Sequence, residues 1–143
     1  MGVRGAHAWS LADDERVRIM QKVAAALRVH QEIMFAYVHG SFVEGPFHDM
    51  DVAVYLAPAA VVQDRLRGYE SDLASELERQ VRMPVDVRLL NDAPLSFRYH
   101  VLKGRPLMVK DPDVLDEFRA RTWDDYLDFA PFARRYLQEV LSE

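Results

Sequence analysis

Val38-His39-Gly40-Ser41-Phe42-Val43-Glu44-Gly45-Pro46-Phe47-His48-Asp49-Met50-Asp51-Val52-Ala53-Val54 is the stretch around which this chain is organised. It reads as the end of a strand, a tight glycine–serine turn, a short loop and a second strand that opens on two carboxylates. Asp49, Asp51, Ala53 and Tyr55 project to one side of that second strand, and Met50, Val52, Val54 and Leu56 to the other. The second set suits a core. The first begins with two charges, so its leading end must face solvent, a metal or a ligand.

Upstream, Ile33 to Val38 is a short apolar run with the length of a buried strand. Before it, Leu11, Val17, Met20, Val23, Ala24 and Leu27 recur at helical spacing; Ser10 is placed to cap that helix, which ends near His30. Downstream, Pro58 fits the first turn of a helix with apolar positions Val62, Leu66, Tyr69, Leu73, Leu77 and Val81. Gly68 falls inside it, weakening it by about 1 kcal/mol relative to Ala without breaking the pattern. Pro84 stops it. Val85, Val87 and Leu89 alternate with Asp86 and Arg88, which gives a third strand with Asp86 on its polar face.

Asn91-Asp92-Ala93-Pro94 is a turn into a short helix from Leu95 to Lys103, closed by Gly104. Pro106 to Val109 fits an edge strand. Asp111-Pro112 opens a helix to about Arg121, Thr122 caps a further helical segment, and Pro131 kinks or restarts it. Trp123, Tyr126, Phe129, Phe132 and Tyr136 step by three and four, a pattern that suits core and helix packing, any exposed portion being a candidate partner surface. The order of elements favours an α/β (α+β) chain with helices on one side of its sheet.

With 143 residues the chain is long enough for one compact domain and too short for two ordinary ones, so residues 1–143 read as a single domain with a helical tail over 112–143. The absence of cysteine excludes disulfides and thiolate metal sites. Met1 to Ser10 has no apolar core of signal-peptide length, and no apolar run approaches a membrane span, so a cytoplasmic protein is expected. A net charge of −5 argues against an extended nucleic-acid footprint, which needs many Lys and Arg contacts to phosphate. It is compatible with one nucleotide held through a metal.

Asp49 and Asp51 stand two apart on a strand, with Cα atoms about 6.6 Å apart at about 3.3 Å per residue. Two carboxylates on one face can converge on one or two Mg²⁺ ions, two being the expected count, since paired catalytic metals lie about 3.5–4 Å apart. Mg²⁺ favours one or two carboxylates together with phosphate oxygens and water. Asp86 has the same orientation on the third strand; if the two strands are neighbours, all three aspartates meet, and Asp86 can ligate a metal or accept a proton from an attacking hydroxyl. Gly40 permits a tight turn, and Ser41 offers a hydroxyl and N–H groups to an anion. Together these residues suit metal-dependent nucleotidyl transfer.

Gly40-Ser41, Gly45, Asp49-x-Asp51 and the later Asp86 resemble the minimal nucleotidyltransferases of the DNA polymerase beta superfamily. Arg98-Tyr99-x-Val101-Leu102, Gly104, Asp111-Pro112 and Tyr126-Leu127-Asp128-Phe129 extend the resemblance over most of the chain from Ile33 onward. It implies a polymerase-beta-like fold, a small mixed sheet flanked by helices. It also implies the activity of the MNT antitoxins: transfer of AMP from ATP, with Mg²⁺, to a tyrosine of a partner HEPN ribonuclease toxin. On this resemblance Asp49, Asp51 and Asp86 are catalytic metal ligands, and Gly40 and Ser41 bind the nucleotide. Seven residues separate Ser41 from Asp49, a shorter loop than in many members, and His48 stands where a serine is common.

Two other functions fit the same residues. One is a small-molecule nucleotidyltransferase of the aminoglycoside-modifying type, which would need an acceptor-binding region beyond this chain. The other is a non-catalytic antitoxin that neutralises its partner by contact alone. His39 and His48 flank the site and read as structural or loop residues rather than ligands, because a phosphate-bound Mg²⁺ favours oxygen donors. Arg88, Arg98, Lys103 and Arg105 are candidates to reach phosphate or base, with surface ion pairing as the competing role.

Overall fold

The computed structural model describes residues 13–46, 49–61 and 66–141. Ser10, Leu11, His48 and Val62, each given a part above, lie outside the described residues. The first helix, α1, runs Asp13–Arg28, with Asp13, Asp14 and Glu15 in its first turn and Arg28 in its last, charges that complement the helix dipole. Strand β1 (Ile33–His39) leads into a single helical turn, α2 (Ser41–Glu44), and then strand β2 (Met50–Leu56). A 3₁₀ turn at Pro58–Ala60 precedes α3 (Tyr69–Val81). Strand β3 (Val85–Leu89), α4 (Leu95–Leu102), β4 (Arg105–Val109) and α5 (Pro112–Leu141) complete the order.

The strands form one four-stranded sheet in the order β3-β2-β1-β4, so β4 is at an edge as its proline requires. Neighbours β1 and β2 are antiparallel, as are β1 and β4; β2 and β3 are parallel. A parallel pair needs a crossover, and α3 lies in that connection.

Helices cover both faces of the sheet, not the one face expected from the sequence. On one face Val23 and Leu27 of α1 and Leu73 and Leu77 of α3 pack on Val38, Met50, Val52, Val54, Val85 and Val87. On the other, Val101 of α4 and Leu115 and Phe118 of α5 pack on Phe35, Tyr37 and Ala53. The reason lies in β1: Phe35 and Tyr37 are apolar on the face that its partner β2 opens with charge. They need a cover of their own. Burying a side chain such as Leu27 or Leu77 contributes about 2 kcal/mol.

Two helix expectations also change. Gly68 breaks the helical run instead of lying inside it: it has φ +78° and caps the N-terminus of α3 in the left-handed conformation. Thr122 is not a cap but a buried residue inside one continuous α5, where its Oγ1 accepts a hydrogen bond from Arg98 at 3.2 Å. Pro131 also lies within α5 without ending it. The aromatic steps of this helix divide. Tyr126 stacks on Tyr99 with ring centroids 4.2 Å apart, whereas Trp123, Phe129, Phe132 and Tyr136 are more than half exposed.

Candidate active site

The ladder registers place the candidate residues in a row across the sheet. His39 of β1 pairs with Asp51 of β2, and Asp51 pairs with Asp86 of β3. The next row on this face is Tyr37, Ala53 and Arg88. Asp49 immediately precedes β2, one same-face step before Asp51. Asp86 therefore stands beside the first two on one surface and is exposed there.

Asp49 and Asp51 are close enough to share a hydrogen bond. Burial, that hydrogen bond, and the charges of Asp49 and Asp86 push the Asp51 carboxyl up to about 7, against a smaller opposing pull from Arg88. Two carboxylates pressed together in a half-buried site hold a proton where a cation could sit, and an all-oxygen donor pair is the chemistry that Mg²⁺ accepts. The residues thus fit a hard divalent ion. Among the described residues no three His, Asp or Glu side chains converge into a ready ligand set. The pair Asp49–Asp51 is assembled, and Asp86 adjoins it.

Gly40 closes the row from above. Its φ of +77° and ψ of −154° suit glycine, and a Cβ there would lie 2.7 Å from Asp51 Oδ2. The backbone of the turn therefore rests against the carboxylate. Ser41 follows, exposed, while Phe42 is buried in the core and anchors the turn. Sequence reasoning missed Arg16. From α1 it donates Nη1 to the Phe42 carbonyl and Nη2 to the Gly45 carbonyl at 2.6 Å, tying both ends of the turn to the domain.

His39 is only 6% exposed, and neither ring nitrogen has a hydrogen-bond partner. Its ring meets Phe97 and His100 edge-on at 5.5 and 5.4 Å. Burial, His100 and Arg88 push its imidazole down to about 4 despite the pull of Asp49, so it is neutral at pH 7. Gly104 makes that burial possible: a Cβ there would overlap the Val38 carbonyl oxygen and lie 3.0 Å from His39 Cβ.

The four cationic candidates separate by position. Arg98 is spent inside the protein on the Ala93 carbonyl, Thr122 and Asp125. Lys103 sits 4.6 Å over the Tyr99 ring, and Arg105 lies opposite Val38 in β4. Arg88 alone of the four shares the row structure of the aspartates. A hollow of about 440 Å³ opens elsewhere, beside Tyr55, Asn91 and Phe118. It is four residues along β2 from Asp51, and two of its charged groups, Arg98 and Asp125, are paired with each other at 3.3 Å. The candidate site remains the carboxylate row, not this hollow.

The family model for the polymerase beta nucleotidyltransferase domain matches residues 21–113, which include every candidate site residue. No curated protein matches the chain in sequence. Among solved structures, the chain is similar to one from the complex of a tri-AMPylated Shewanella oneidensis HEPN toxin with an MNT antitoxin. That match has a TM-score of 0.67 at 20% identity and covers 88% of this chain and 98% of that one. It is similar to a chain of the toxin–antitoxin MntA–HepT, with a TM-score of 0.66 at 19% identity and coverage of 87% and 98%. A toxin–antitoxin structure with AMP-PNP matches with a TM-score of 0.64 at 19% identity, covering 91% and 99%. At these identities the likeness is one of fold.

Proposed function

Because the chain belongs to the polymerase beta nucleotidyltransferase family, we propose that it transfers AMP from ATP to a tyrosine hydroxyl of a HEPN-domain toxin and so acts as that toxin's antitoxin. The observation that carries this reading is the row His39–Asp51–Asp86 with Gly40 packed on Asp51. The solved complexes of similar fold, one with an AMPylated HEPN toxin and one with AMP-PNP, support the acceptor and the nucleotide.

Asp49 and Asp51 would hold Mg²⁺, with Asp86 beside them. When bound, the ion neutralises triphosphate charge and steadies the departing pyrophosphate. Gly40 and Ser41 lodge the triphosphate against the turn, which Arg16 and Phe42 keep fixed. Asp86, exposed at the end of the row, accepts the proton of the incoming hydroxyl. The hydroxyl oxygen bonds to the α-phosphorus, the bond from the α-phosphorus to the bridging oxygen breaks, and pyrophosphate leaves with the electron pair. The protein acts as one minimal nucleotidyltransferase domain, 1–143, with a helical C-terminal segment from 112. Among the described residues no helix is long and apolar enough to cross a membrane, and we place the reaction in the cytoplasm, where ATP and Mg²⁺ are at hand.

The test is incubation with labelled ATP, Mg²⁺ and a cognate HEPN protein. Label should pass to the HEPN protein from the wild type and not from Asp49→Ala plus Asp51→Ala. No transfer from the wild type, or undiminished transfer from the double variant, refutes the proposal. Label appearing on a small-molecule acceptor alone identifies the antibiotic-modifying type instead.

A further inference from the structure

Resting on that nucleotidyltransferase reading, we infer that Arg88, backed by His39 and Phe97, is a phosphate contact for the bound nucleotide: its guanidinium takes a phosphoryl oxygen of the triphosphate beside the carboxylate row.

Position comes first. Parallel pairing sets Asp51 against Asp86 and Ala53 against Arg88, so Arg88 lies one same-face step beyond Asp86. Its neighbour across the ladder, Ala53, is fully buried and has no polar group to offer. The guanidinium lies 5.3 Å from the centre of the Phe97 ring, which holds it in place without consuming its N–H donors.

Availability comes second. Arg88 is exposed, and among the described residues it makes no ion pair and no hydrogen bond, even with the aspartates of its own face. Arginines nearby on α4 and α5 are committed: Arg98 to Asp125, Arg119 to the Tyr37 hydroxyl and Asp116, and Arg121 to Glu117. An arginine stacked on a ring yet free at its donor edge presents the planar fork that matches a phosphate.

Third, Phe97 is shared. It also meets the ring of His39, which is buried with both nitrogens unpartnered. Buried polar atoms are seldom left without a partner, and each exception calls for a physical reason. Arg88 and His39 thus flank the same ring, with His100 against His39. This wall of nitrogen groups stands directly beside a wall of carboxylates. A triphosphate held at the carboxylates through a cation has oxygens left over, and Arg88, exposed beside buried His39, supplies donors for them.

The experiment is calorimetric binding of AMP-PNP with Mg²⁺, and separately of adenosine, to the wild type and to Arg88→Gln, Arg88→Lys and His39→Phe. Arg88→Gln should weaken AMP-PNP binding by roughly 10- to 100-fold, the range for a hydrogen bond to a charged group. Adenosine binding should be unchanged. Arg88→Lys should recover part of the loss, and His39→Phe, which keeps the ring contacts, should weaken AMP-PNP binding by a smaller factor. Equal AMP-PNP affinity in wild type and Arg88→Gln overturns the inference while leaving the transferase reading intact. So does an equal loss for adenosine. A wild type that binds no AMP-PNP overturns both.

Discussion

Replacing Gly40 with alanine tests the contact on which the site is built. At φ +77° and ψ −154° its backbone lies in a region open essentially to glycine, and forcing another residue there costs about 1–3 kcal/mol. A Cβ would also stand 2.7 Å from Asp51 Oδ2, so the carboxylate has to move. For a chain of 143 residues, unfolding entropy of about 2.1 cal/mol/K per residue converts each kcal/mol into about 3 °C of melting temperature. Gly40→Ala should therefore melt about 3–10 °C below the wild type. Moving Asp51 should also lower AMP transfer by roughly 100-fold, the cost of a misplacement near 1 Å. Gly45→Ala is the control: its φ is 180° and nothing lies within 4 Å of the added Cβ, so stability should hold or rise slightly.

Adding Asp51→Ala separates the two costs. It removes the atom that the new Cβ would meet, so Gly40→Ala in that background should lose only the backbone share. The coupling between the two sites should exceed about 0.5 kcal/mol. A Gly40→Ala protein that melts with the wild type, followed by circular dichroism, would show that the turn does not rest on Asp51.

Two further outcomes follow from contacts outside the site. The Asn91 amide accepts from the Leu56 N–H at 2.9 Å and donates to the Leu56 carbonyl at 3.0 Å, extending β2 with a side chain; Asn91→Ala should cost about 1–3 kcal/mol in urea unfolding, and Asn91→Asp less. Glu32 accepts a 2.7 Å hydrogen bond from the Tyr69 hydroxyl, and although burial alone would raise its carboxyl, that bond and the nearby His30 bring it below its usual value of 4.5. A depressed carboxyl stabilises the fold above the unfolded value and loses that contribution as pH falls through the folded one, so stability should fall below about pH 4.5. Tyr69→Phe should cost about 1 kcal/mol at pH 7 and make that acid loss shallower, as read from urea midpoints across pH 3–7.

The candidate site is legible in the sequence because its signals are local. The two-residue spacing of Asp49 and Asp51, the alternation of β2 and the Gly40 turn each follow from backbone periodicity. The place of Asp86 needed one long-range step, the adjacency of β2 and β3, and the Asp51–Asp86 register supplies it. What stayed hidden depends on contacts between distant segments. Arg16 reaches the Phe42–Gly45 turn across 26 to 29 residues, and His30 meets Glu76 across 46. No spacing rule encodes either. Thr122 shows how such a contact overrides a local signal: a Thr-x-x-Asp pattern resembles a cap, but Arg98 takes both of its polar side chains, Thr122 at 3.2 Å and Asp125 at 3.3 Å, and the helix runs on. Gly68 erred in the opposite direction. Apolar spacing on both sides suggests one helix, whereas Gly68, in the left-handed conformation, caps the N-terminus of α3. Apolar periodicity reports which face is buried, and it is blind to whether the helix axis continues between two buried faces. Only a position that demands positive φ reveals the break, which is why Gly40 and Gly68 carry more structural information than the apolar residues around them.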